Sequence, residues 1–149
     1  MALEKRISEL TASTVIIQDT DLMVISQLAD GIYSTKSITG AKVNPFKRYL
    51  SSITQSGTSA PTVNYSYSEL TSTITWAYIS TGIYEATLTD AELTLNKTFL
   101  SIYIGSGVLG YYSISRISTT KFRVFTYNTS ASSTDALLLD SQIEIKIIK

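Results

Sequence analysis

The last nine residues, Ser141 to Lys149, alternate strictly: Ile143, Ile145 and Ile147 fall in one phase, and Glu144, Lys146 and Ile148 in the other. A period of two places successive side chains on opposite faces, as in a half-buried strand. The same signature recurs at short spacing. Thr73 to Ile79 puts Ile74, Trp76 and Tyr78 in one phase, and Ile83 to Thr89 does so with Tyr84, Ala86 and Leu88. Lys97 to Ile104, Tyr111 to Ile117, Lys121 to Tyr127 and a segment near Val63 to Tyr67 follow suit. Turn-forming runs such as Ser80-Thr81-Gly82 and Ser118-Thr119-Thr120 separate them. Closely spaced strands with turns between them predict an antiparallel β-sandwich over residues 51–149. Isoleucine, valine, threonine and tyrosine, which suit a pleated surface, make up over a third of the 149 residues.

Ahead of it, Leu22 to Leu28 and Ile32 to Thr39 read as a hairpin across Asp30-Gly31. Asn44-Pro45 then reads as a helix start, with Phe46, Tyr49 and Leu50 sharing one face at i, i+3 and i+4. The expected fold class is therefore mainly β: a small adaptor over 1–50, a β-hairpin plus a short helix, followed by the sandwich. Ser56-Gly57-Thr58-Ser59-Ala60-Pro61 is the linker-like stretch near the boundary. A hairpin with one turn of helix buries too little to stand alone. Leu22, Val24, Ile38, Phe46, Tyr49 and Leu50 are thus expected to form a docking or oligomer interface. On the outward phase of the sandwich, Ile79, Ile83, Phe99, Tyr103, Phe125, Tyr127 and Ile148 form an interface if contiguous.

Histidine and cysteine are both absent. Imidazole acid–base chemistry, thiol nucleophiles, disulfides and nearly every zinc, copper or iron site go with them. Charged residues are 16% and the net charge is zero, so a basic nucleic-acid surface is not expected. No apolar run reaches the length of a membrane span or a signal segment. Asp19-Thr20-Asp21 lacks the further oxygen ligands of a calcium loop. Asp90-Ala91-Glu92 and Glu85 read as turn and hairpin carboxylates rather than a glycosidase pair. Gly105-Ser106-Gly107 has strand signals on both sides, unlike a phosphate loop that opens a helix. The expectation is a protein that is not an enzyme, with no catalytic residue, no cofactor and no metal. Tyrosines offer another chemistry: Tyr65, Tyr67 and Tyr127 are candidate contacts to a surface glycan, while Trp76 and Tyr112 are assigned to the core.

Several stretches resemble known modules. Ile7-Ser8-Glu9-Leu10-Thr11, Asp21-Leu22-Met23-Val24, Gly31 and Thr35-Lys36-Ser37-Ile38-Thr39 resemble the short amino-terminal module of many phage tail- and head-fibre proteins. In that module a strand-turn-strand ends in a Thr-Lys-Lys-Ile-Thr-like run before a short helix. Here Ser37 stands in place of the second lysine, and Ile16-Ile17-Gln18 is less typical. The run from Thr54 to Pro61, with Ile74-Thr75-Trp76, Thr81-Gly82-Ile83-Tyr84, Asn96-Lys97-Thr98-Phe99, Tyr111-Tyr112-Ser113-Ile114 and Ile143-Glu144-Ile145, is similar to a module in virion proteins of Bacteroidetes phages, crAss-like ones included. The resemblance implies a virion structural protein, a head fibre, tail fibre or capsid-decoration component. It implies a homotrimer whose partners are other virion proteins of the capsid, portal or tail. The alternative expectation is a carbohydrate-binding module for a host surface glycan.

Overall fold

The computed structural model describes residues 22–29, 32–39, 44–105 and 109–149. The chain divides into two compact units, residues 1–44 and 45–149. In the first, β1 (Leu22–Ala29) and β2 (Ile32–Thr39) form a two-stranded antiparallel sheet. Leu22 pairs with Thr39, Val24 with Ser37 and Met23 with Ile38. The Asp30-Gly31 turn and the surroundings of the Leu22, Val24 and Ile38 side chains lie outside the described residues, as does Asp19-Thr20-Asp21.

The second unit is a sandwich of two four-stranded sheets, antiparallel throughout. One sheet has the order β4-β3-β10-β7 and the other β5-β6-β9-β8. The strands are β3 (Phe46–Thr54), β4 (Thr62–Ser68), β5 (Ile74–Ser80), β6 (Ile83–Leu88), β7 (Thr98–Tyr103), β8 (Tyr111–Arg116), β9 (Lys121–Tyr127) and β10 (Ser141–Ile148). Seven of the eight strands supply side chains to one core, β4 being exposed along its whole length. Tyr49 and Ile53 of β3 meet Ile143, Ile145 and Ile147 of β10 there. Tyr84, Ala86 and Leu88 of β6 and Phe122 and Val124 of β9 come from the other sheet. Trp76 packs against this core, with its ring edge-on to Phe122 at 5.4 Å and 87°.

Three expectations are corrected. Residues 46–54 are a strand, not a helix: Tyr49 is buried in the core and Leu50 faces out, so they do not share a face. Phe46 opens that strand opposite Ile148. The physical reason lies in β10, whose ladder β3 completes over the full length from Ile53–Ser141 to Phe46–Ile148. Proline just before a strand is as admissible as proline at a helix start, since its missing N–H breaks no ladder there. Consequently the unit boundary falls at Asn44/Pro45, not at residue 50, and 56–61 is the β3–β4 loop, not an inter-domain linker. Tyr112 is 45% exposed, because β8 is an edge strand, and is not a core residue.

On the outer face of the second sheet, Glu85 is nearly buried and ion-paired to two cations. Lys121 Nζ lies at 2.6 Å and Arg123 Nη2 at 2.8 Å. Hydrogen bonds from Lys121 and then Arg123 hold its carboxyl below the ordinary value of 4.5. A carboxylate with a depressed folded-state value adds stability that is complete above its unfolded value. That stability is lost as pH falls through the folded one. Glu85→Gln is therefore expected to lower stability at neutral pH and to flatten the loss of stability below pH 4.5. Urea melts of both proteins across the acid range check this; parallel pH profiles would contradict it.

Candidate binding trough

Strand register brings four side chains into one row across the outer face of the first sheet. Tyr65 of β4 is opposite Ser52 of β3, Ser52 is opposite Gln142 of β10, and Gln142 is opposite Tyr103 of β7. At the usual strand spacing the Cα atoms of the two tyrosines stand roughly 14 Å apart across the sheet, with two small or flexible side chains between them. The result is a trough of about 350 Å³, walled by Tyr65 and Tyr103 and floored by Ser52 and Gln142. Leu50 and Glu144 line its continuation. The walls stand out from the sheet, with Tyr65 68% and Tyr103 61% exposed.

A bulge sets the first wall. The β3–β4 register shifts between Ser52 and Ile53, which leaves Asn64 as an extra residue beside Tyr65. Bulges re-aim neighbouring side chains and twist an edge strand away from further pairing. The Asn64 amide donates to Thr54 Oγ1 at 2.8 Å and to Asp140 Oδ1 at 3.1 Å, tying β4 to the start of β10.

In the rows on either side several polar groups are engaged. On one side are the Asn64, Thr54 and Asp140 contacts. On the other, the Tyr67 hydroxyl donates to Glu69 Oε1 at 3.0 Å, and Lys146 Nζ pairs with Glu144 Oε1 at 2.9 Å. That hydrogen bond to Glu69 also raises the Tyr67 hydroxyl above the ordinary tyrosine value. Within the row itself, the side chains of Tyr65, Ser52, Gln142 and Tyr103 make no hydrogen bond to another described residue.

The glycan candidates are thus separated. Tyr65 is in the trough and Tyr67 is one row along with its hydroxyl occupied. Tyr127 lies on β9 in the other sheet, opposite Tyr111. Sequence reasoning placed Tyr103 only among the outward apolar residues; its register through β10 to β3 is what brings it opposite Tyr65's row. Ser52 and Gln142 carried no signal, because they matter only once β3 is a strand.

Other polar clusters are internal braces. Tyr84 is fully buried, with its hydroxyl 2.9 Å from Gln55 Oε1 and 3.0 Å from Asp135 Oδ1. Burial, reinforced by Asp135, pushes that hydroxyl well above the ordinary range and keeps it a donor. Asp135 also accepts from Tyr78 Oη and Gly82 N, which pins the 133–136 loop. Glu92 is raised by burial, but the hydroxyl and N–H of Thr71, with Ser72 and Lys47, together more than offset this and leave it below the ordinary value. It lies apart from Glu85, whose partners are Lys121 and Arg123, so the two do not form a carboxylate pair. Among the described residues no three Asp, Glu, His or Cys side chains gather as a metal site. Comparison with protein-family models, curated proteins and solved structures finds no match.

Proposed function

We propose that this chain is a virion structural protein of a phage, a fibre or capsid-decoration component whose work is attachment and not turnover. Residues 1–44 dock on capsid, portal or tail protein, as a homotrimer, and residues 45–149 form the displayed sandwich. The observation that carries this reading is the inequality of the two units. The sandwich owns a core, whereas the described part of the first unit is one two-stranded hairpin. A lone hairpin is marginal in water and gains stability by packing on something else. The run Thr35-Lys36-Ser37-Ile38-Thr39, which carries the fibre resemblance, falls within β2. Where a short helix follows it in the resembled module, the described residues from Phe46 onward form β3. Repetition in a trimer would multiply weak docking contacts into firm attachment.

The test is reassociation of purified chain with particles stripped of it, using the full chain carrying Leu22→Asp and Ile38→Asp. The wild type is expected to cosediment and the variant to stay in the supernatant, with the melting of the sandwich unchanged. A variant that still cosediments, or a wild type that never does, overturns the proposal.

A further inference from the structure

We infer that the trough between Tyr65 and Tyr103 is a binding site for a short, neutral oligosaccharide lying along β3 and β10. This goes beyond docking of residues 1–44 and holds whether or not they attach to a particle. Three observations converge. First, the walls are exposed aromatic rings with hydroxyl tips, which give rigid amphipathic contact area at low entropic cost. A sugar ring offers the matching surface, an apolar C–H face to lie on a ring and hydroxyls around its rim. Second, the floor holds a hydroxyl and a carboxamide, Ser52 and Gln142, that no described residue engages, while Asn64, Thr54, Tyr67 and Glu144 in the neighbouring rows have partners. An apolar protein surface laid here would strand those groups without partners, at a cost in binding. Third, the charges near the trough select against acidic ligands. Glu144 at one end pairs with Lys146 and Asp140 lies beyond the other, so among the described residues that line the trough the one charge is a carboxylate.

A peptide fits less well. Extended peptides gain affinity by adding to a sheet edge. The floor here is made of β3 and β10, interior strands whose backbone groups are consumed by ladders on both sides. What remains for a ligand is side-chain hydrogen bonding and ring contact. The volume lies at the small end of ligand sites, enough for a few sugar rings rather than a long chain.

The experiment is binding of the full chain to an array of neutral, sulfated and sialylated oligosaccharides, followed by calorimetric titration of the best neutral one. Tyr65→Ala and Tyr103→Ala are each expected to weaken binding about tenfold or more, as removal of an aromatic anchor does. Ser52→Trp, which fills the floor, is expected to abolish it. Tyr111→Ala, an equally exposed tyrosine on the other sheet, is expected to leave it unchanged. Thermal melts accompany each variant, and because these side chains are exposed or part-exposed they should match the wild type. Binding to no neutral glycan, binding confined to acidic glycans or to peptides, or equal loss on Tyr111→Ala overturns the inference.

Discussion

Phe122→Ala is expected to destabilise the sandwich by about 3–5 kcal/mol, the range for removing a buried aromatic side chain. Phe122 is fully buried on β9, an interior strand flanked by β6 and β8. Its register partner on β6 is Ala86, and Trp76 stands edge-on to it. Neither neighbour can refill the space: Ala86 is too small, and Trp76 is held in β5 opposite that same alanine. The cavity therefore persists, which places the cost in the upper part of the range. For a unit of this size the midpoint of thermal unfolding should fall by about 15–25 °C. Chemical denaturation followed by tryptophan fluorescence measures it. A loss of only about 1 kcal/mol, typical of an average substitution, would mean that the two sheets do not meet at this ring.

The second large effect is polar. Gln55 is 1% exposed at the end of β3, and its side chain joins three segments. Oε1 receives the Tyr84 hydroxyl and the Ala136 N–H at 2.8 Å, while the amide donates to the carbonyls of Gly57 and Ser59. Gln55→Leu keeps the bulk and removes every one of these bonds, with an expected loss of about 2–4 kcal/mol, since buried partners are left unsatisfied. Tyr84→Phe removes one shared hydroxyl and should cost less, about 1 kcal/mol. Equal losses for the two would place the strength of this network in Tyr84. Urea unfolding of both variants decides it, and amide exchange at Ala136 should quicken in the first only.

Much of the fold was legible because strands with one buried face write their period directly into the sequence. Seven of the eight strands of the second unit coincide with segments of period two, and Ile143, Ile145 and Ile147 of β10 are inward as their phase requires. β3 was not legible, for a local reason. Its inward phase runs Tyr49, Ser51, Ile53, so a buried serine interrupts the apolar signal. Meanwhile Asn44-Pro45 and the spacing of Phe46, Tyr49 and Leu50 imitate a helix. That one misreading moved the unit boundary and hid the trough, half of whose floor is on β3. Tyr65 could be picked out as an exposed ring on a strand near an edge. Its opposition to Tyr103 could not, because strand order is a long-range property: β7 and β4 are separated in sequence by two strands of the other sheet and joined only through β3 and β10. The pairing of sheets is set by which edges remain to be satisfied, and no window of sequence contains that.

The proposed role as a virion component is tested most directly by a density map of an intact particle that carries this chain. The map is expected to show this chain as a trimer with residues 22–39 seated on another virion protein, the sandwich projecting from it, and the Tyr65–Tyr103 face open to solvent. A particle whose map has no density for the chain, or in which the sandwich is buried and residues 22–39 point outward, would contradict attachment as its work.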